Sequence, residues 1–173
     1  MKAATALLCL PFLITHSALA EDLDGRIVRV IDGDTLELLT AENQPVRIRL
    51  AEIDAPERQQ PYGARAKQAL SALTFGQTAR VEVIDHDRYG RTIGRVHAGG
   101  LDVNAELVRE GAAWIYIRYS KDATLIPLEA EARAEHRGLW SLPDDVTMPP
   151  WEWRRAKRES RSKQRNDLQP AVF

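Results

Sequence analysis

Hydrophobic and polar residues alternate over "GRIVRVI", residues 25–31, and again over "TLELL", residues 35–39. That is the period of a half-buried strand. "PVRIRLAEI", residues 45–53, alternates most cleanly, with Val46, Ile48 and Leu50 on one side and Arg47 and Arg49 on the other. Three such strands in a row predict a meander. The period then lengthens. In "ARAKQALSALTFG", Ala66, Ala69, Leu70 and Leu73 fall at i, i+3, i+4 and i+7, the stripe of an amphipathic helix that stops near Gly76. "ARVEVID" and "RTIGRVHA" predict two more strands. "VNAELVREG" predicts a short helix ending at Gly111, and "LIPLEAEARAEHRG" a last one ending at Gly138. Five short strands with a helix between the third and fourth predict an α+β, mainly β chain: a five-stranded OB-fold barrel with three helices. A flat α+β sandwich is the alternative.

The connection between the first two strands is Asp32-Gly33-Asp34. A D-G pair between alternating apolar runs predicts a tight turn, with glycine supplying a positive φ. The triplet also sets two carboxylates at one strand end.

Composition changes this picture little. The chain has 173 residues, 44% of them hydrophobic, and a formal net charge of -1. That suits one domain with one core, and a charge so near zero makes no whole-chain case for nucleic acid or membrane. The ends say more. "MKAATALLCLPFLITHSALA" has Lys2, a short apolar run and Ala18-Leu19-Ala20, the pattern of a cleavable secretory signal. Residues 1–20 are therefore expected to be a signal peptide, with the mature chain beginning at Glu21 and lying in the periplasm or outside the cell. The single cysteine, Cys9, falls inside that signal, so no disulfide framework or cysteine metal site is expected in the mature chain. "LPDDVTMPP" has three prolines in nine residues and marks a boundary. Residues 21–142 are expected to form the domain. Residues 143–173 are expected to be a basic, flexible tail, with a short basic helix as the other form open to it. No transmembrane segment is expected after signal cleavage, and a monomer is expected because no assembly motif is visible.

Three polar clusters carry candidate chemistry. Asp34 is one. "RLAEIDAPE" adds Arg49, Asp54 and Glu57, with Pro56 stiffening the chain as it leaves the strand. "DRYGR" adds Arg91. Two carboxylates with a carbonyl and water suit a hard cation, Ca²⁺ or Mg²⁺. Arginines bind phosphate through a rigid fork. A further carboxylate can take a proton from water. Together these are the tools of phosphodiester hydrolysis, although spacing alone does not bring them together.

The ordered set "VIDGDT", "RLAEIDAPE", "DRYGR" and "VNAELVREG" resembles the staphylococcal nuclease (thermonuclease) family, from about Gly25 to Ser141. The resemblance implies an OB-fold barrel with three helices and a Ca²⁺-dependent nuclease cutting DNA and/or RNA to leave 3′-phosphate ends. By the same resemblance, Asp34 and Asp54 would be calcium carboxylates and Ala55 would offer its carbonyl. Arg49 and Arg91 would clamp the scissile phosphate, Glu57 would be the general base, and Asp32 would support the metal loop from behind. Tyr89 and Tyr119 would bind substrate beside the nucleotide. The companion position of Tyr119 is here Ile117, and a lysine-rich loop of the type member is absent after Glu57. Arg109 and Glu135 fall where the family often has a structural ion pair.

A second reading keeps the barrel as a non-catalytic OB-fold module that binds nucleic acid without cutting it. The intact set Asp34, Arg49, Asp54, Glu57 and Arg91 favours the enzyme. Trp151 and Trp153 could stack on bases or anchor the tail.

Overall fold

The computed structural model describes residues 22–167. The expected signal segment and Cys9 lie outside the described residues. The chain runs through β1 (Asp22–Val30), β2 (Thr35–Thr40), β3 (Pro45–Leu50) and the two-residue β4 (Ile53–Asp54). Then come α1 (Gly63–Thr74), β5 (Thr78–His86), β6 (Thr92–Ala98), β7 (Leu101–Asp102) and α2 (Val103–Arg109). It finishes with β8 (Trp114–Ile115), α3 (Leu125–Ala134), a 3₁₀ turn at Gly138–Ser141 and α4 (Pro150–Asp167).

The five long strands form an antiparallel sheet in the order β3-β2-β1-β5-β6. That sheet closes on itself. β3 pairs parallel with β6, Ile48 opposite Thr92 and Leu50 opposite Gly94. Closure removes the free edges and excludes the flat sandwich. The alternation seen in sequence is what fills the barrel: Ile27, Leu36, Leu38, Ile48, Leu50, Val81 and Val96 are fully buried. Each such side chain contributes about 1.5–3 kcal/mol on burial. The α1 stripe packs against this core through Ala66 and Leu70, with Ala69 and Leu73 at its border.

At the closing seam, Asn104 of α2 is buried among apolar groups. Its side-chain oxygen accepts from the Val96 N–H at 3.0 Å, and its amide donates to the Ala51 carbonyl at 2.9 Å. One side chain thus ties β6 to the turn that follows β3. That turn leads directly to Asp54.

Two differences from the sequence reading concern the C-terminal half. The last predicted helix is shorter, because His136 and Gly138 adopt left-handed φ of 52° and 57° and break it. The expected Arg109–Glu135 pair is not among the ion pairs of the described residues. Arg109 pairs with Glu106 one turn earlier, and Glu135 pairs with Arg137. The third difference lies beyond Pro149. The segment expected as a flexible tail is an 18-residue helix, α4, whose first turns pack on the domain. No helix among the described residues is long and apolar enough to cross a membrane.

Replacing Asn104 with Ala strands a buried N–H and a buried carbonyl, which costs about 2 kcal/mol or more. The melting temperature should fall by about 5 °C or more. A variant that melts with the parent protein would show that the seam does not depend on this residue.

Candidate active site

The connection after β1 is held by its own backbone. The Ile31 N–H donates to the Thr35 carbonyl at 2.9 Å, and the Asp34 N–H donates to Asp32 Oδ1 at 3.1 Å. The Leu50 N–H donates to the Asp34 carbonyl at 2.8 Å, which fixes this turn to the end of β3. Gly33 does not have the positive φ that a D-G turn predicts. Its role is space. A Cβ there would stand 2.7 Å from that of Ala55 and 2.8 Å from that of Ala66. The turn lies directly against Ala55 and against α1, and only glycine fits.

Asp34 is therefore delivered pointing inward and is buried. Its Oδ2 accepts from the Ala55 N–H at 2.7 Å, and Thr35 donates its hydroxyl to Oδ1 at 3.2 Å. Asp54, at the end of β4, is 1% exposed. β4 is set by its pairing with β8, Asp54 opposite Trp114. The sharp turn before it places Glu52 at φ 64°. That left-handed backbone costs about 1 kcal/mol or more. It is held by several contacts. The Glu52 carbonyl accepts from the Tyr116 N–H at 2.8 Å, and Glu52 Oε1 accepts from the Lys121 N–H at 2.8 Å. Arg95 lies beside Glu52 and binds Asp102 and Asp122, fastening the loop after β8 to the barrel.

Arg49 joins the two carboxylates. Its Nη1 donates to the carbonyls of Leu50 and Ile53, at 2.9 and 3.0 Å. Its Nη2 lies 3.2 Å from Asp34 Oδ2 and 3.0 Å from Asp54 Oδ1. Two carboxylates from distant parts of the chain thus converge on one nitrogen atom.

A second guanidinium stands on the other side, and sequence reasoning missed it. Arg154 of α4 binds Asp54 Oδ2 through Nη2 at 2.7 Å and Glu57 Oε1 through Nη1 at 2.7 Å. Burial works against the charge on Arg154, but the bonds to Asp54 and Glu57 outweigh it and raise its pKa. The helix is held there by aromatic contacts. Trp151 stacks on Tyr116 with centroids 5.2 Å apart and meets Trp114 edge-on at 6.0 Å. Buried Gln60 reinforces the junction, accepting from the Glu57 N–H at 3.1 Å and donating to the Met148 carbonyl at 2.5 Å. The signal in the sequence was W-x-W-R after two prolines, in a chain with only 6% aromatic residues.

Glu57 leaves the cluster on the loop to α1. α1 approaches it so closely that a Cβ on Gly63 would stand 2.0 Å from the Glu57 carbonyl oxygen. Arg91 is placed apart. It sits just before β6, and its Nε donates to Asp87 Oδ2 at 2.7 Å within its own loop. Tyr89 is 69% exposed on that loop, with the Arg88 guanidinium 4.9 Å from its ring centre. Tyr119 is exposed and meets Tyr116 edge-on at 4.7 Å, while Ile117 faces solvent. The aromatic neighbour of Tyr119 is thus Tyr116, whose face is covered by Trp151. The structure brings together Asp34, Arg49, Asp54, Ala55 and Glu57. Arg91, Tyr89 and Tyr119 lie on loops beside that cluster and make no hydrogen bond or ion pair with it among the described residues.

Burial dominates the electrostatics of the carboxylates. Burial raises the pKa of Asp54, opposed first by the Arg154 hydrogen bond and aggravated by Asp34. Burial and the Asp34 charge push Asp32 up to about 6. The donor set is all oxygen, which suits a hard cation. No group of three His, Cys, Asp or Glu side chains with metal-binding geometry occurs among the described residues. The two carboxylates would need backbone and water oxygens to complete a shell, as Ca²⁺ accepts.

A closed OB-type barrel with this carboxylate–arginine cluster is the architecture of one nuclease class. The sequence profile described as "Staphylococcal nuclease homologue" matches residues 47–142. An "Uncharacterized endonuclease" of Escherichia coli O157:H7 is 46% identical over 147 residues, covering 84% of this chain and 94% of the relative. A "Micrococcal nuclease" of Shigella flexneri is 45% identical over 150 residues, covering 80% and 84%. "Protein ParB" of Escherichia coli is 42% identical over 172 residues, covering 93% and 94%. The chain belongs to the staphylococcal nuclease family.

The raised Asp32 sets a pH dependence. Its folded pKa of about 6 lies above the ordinary 3.8, so the native state holds the proton more tightly than the unfolded chain. Stability is lost as pH rises through that window. In metal-free protein, Asp32→Asn should melt higher than the parent at pH 7 and level with it near pH 4. A parent that holds or gains stability relative to Asp32→Asn between pH 4 and pH 7 would contradict the assignment.

Proposed function

We propose that the protein is a Ca²⁺-dependent nuclease that hydrolyses the phosphodiester bonds of DNA and/or RNA and leaves 3′-phosphate ends. Family membership makes it a staphylococcal-nuclease-like enzyme, an endonuclease of the phosphodiesterase class. The observation that carries the finer reading is the convergence of Asp34 and Asp54 on one cationic nitrogen, beside Glu57.

Asp34 and Asp54 would hold the calcium ion, with the Ala55 carbonyl as a further donor. The bound ion would neutralise charge building on the phosphoryl oxygens. Glu57 is 40% exposed at its side chain, the outermost of the three carboxylates, and would take the proton of the attacking water. Water would attack phosphorus in line as Glu57 takes its proton, the P–O5′ bond would break, and the 5′ oxygen would leave as a hydroxyl on taking a proton from solvent, with the phosphate left on the 3′ side. Arg49 keeps Asp34 and Asp54 in register and adds positive charge next to the phosphate. Arg91 binds Asp87 through Nε, and its terminal nitrogens would reach the phosphate from the β6 side. Tyr89 and Tyr119, both exposed on loops, would contact the flanking nucleotide. Arg154 now occupies oxygens of Asp54 and Glu57. Release of Arg154 from these oxygens would leave Asp54 available to hold the ion and Glu57 free to act as a base. The N-terminal pattern of residues 1–20 supports export to the periplasm or beyond.

The test is cleavage of single-stranded DNA, duplex DNA and RNA, with Ca²⁺ and with a calcium chelator. Cutting should need Ca²⁺, and Glu57→Gln and Arg91→Ala should each lower kcat by about 100-fold or more. Tight binding without cutting in any divalent metal would instead make the barrel a binding module.

A further inference from the structure

α4 does more than cap the cluster. Only its beginning is docked. Pro150 is buried, Trp151 is stacked on Tyr116, and Arg154 reaches Asp54 and Glu57. One residue pair further along, a groove of about 270 Å³ opens between the helix and the loop that carries Glu57. Its walls are Glu57, Arg58 and Gln59 on the loop, and Trp153, Arg154 and Lys157 on the helix. Lys157 Nζ donates to Gln59 Oε1 at 2.6 Å and closes the far end. The two tryptophans of the helix thus divide their work. Trp151 anchors, while Trp153 is half-buried, enters no aromatic pair among the described residues, and lines the groove.

The chemistry of the groove is an aromatic face, two cations not committed to the carboxylate cluster, and a direct opening at Glu57. Nucleotides offer what complements it: a flat base for the indole and a phosphate for Arg58 and Lys157. Beyond it, the exposed Arg158, Arg161 and Arg165 continue the positive charge along α4. We propose that this groove is a binding subsite for the nucleotide next to the scissile phosphate of a single-stranded nucleic acid. Trp153 is the stacking platform for the base, and Arg58 and Lys157 hold its phosphate. The strand then follows the basic face of α4 away from the site. The assignment rests on the nuclease reading for the identity of the ligand. It selects single strands, because the bases of a duplex are stacked on each other and cannot present a face to Trp153.

The experiment is fluorescence anisotropy of a labelled single-stranded DNA of about eight nucleotides, with the full chain, in chelator so that nothing is cut. Trp153→Ala should weaken binding by about tenfold, and Trp153→Phe should restore most of it. Lys157→Ala should lower the slope of log affinity against log salt by about 0.7. In Ca²⁺, the KM of Trp153→Ala for the same strand should rise by more than its kcat falls. Melting temperatures report whether each variant is folded, and the Lys157 variant, which loses one hydrogen bond to Gln59, reads the groove even if Trp153→Ala does not fold. Unchanged affinity and salt slope in the variants would overturn the proposal. So would faster cutting by them, which would make α4 a plug over the site. A parent protein that binds through Trp153 and Lys157 but never cuts would keep the subsite and remove the nuclease mechanism instead.

Discussion

Asp34 and Asp54 are two buried carboxylates that face each other, and most of the local architecture exists to keep them there. Like charges this close and this dry repel strongly unless cations stand between them. Arg49 stands between them, and Arg154 neutralises Asp54 from its other side, together with Glu57. The rest follows from geometry. Gly33 lets the β1–β2 turn lie on Ala55 and Ala66. The left-handed Glu52 turns the chain so that β4 delivers Asp54. Asn104 fixes the turn between β3 and β4 to the barrel seam. A protein selected for stability alone would do better with apolar residues of the same volume, since buried ion pairs seldom repay their desolvation. Keeping them points to chemistry.

The helix α4 extends this constraint to the C-terminal part of the chain. Its aromatic anchor is continuous with the site, because Trp114, the partner of Trp151, pairs backbone to backbone with Asp54. Gln60 couples the Glu57 loop to Met148 just before the helix. Movement of α4 and movement of Glu57 are therefore linked through packed side chains and two hydrogen bonds. An acidic site and a basic helix in one chain also explain how a net charge of -1 coexists with strong local fields.

Much of this was legible in the sequence, for reasons that differ by residue. The strands were legible because one face of each is buried, so Ile48 and Leu50 alternate with Arg47 and Arg49. That Asp34, Arg49, Asp54 and Glu57 cluster was legible only as a motif, since nothing in their spacing shows that they meet. Gly33 was assigned to the right place for the wrong reason. The D-G pair signals a turn locally, whereas the actual demand comes from Ala55 and Ala66, far along the chain. For Arg154 the W-x-W-R run marked only an anchored segment, not its partners. Arg154 lies 100 residues from Asp54, and a run of Lys and Arg reads as a solvated face until its partners are known.

The measurement that tests the central claim most directly is a calorimetric titration with Ca²⁺, free of substrate. If Asp34 and Asp54 form a cation site in which Arg154 stands where an ion's charge belongs, the parent protein binds calcium and Asp54→Asn loses it. Arg154→Met should bind several-fold more tightly, because the competing cation is gone. Equal calcium binding by the parent and Asp54→Asn would contradict the account, and the carboxylate pair would then be a structural ion cluster.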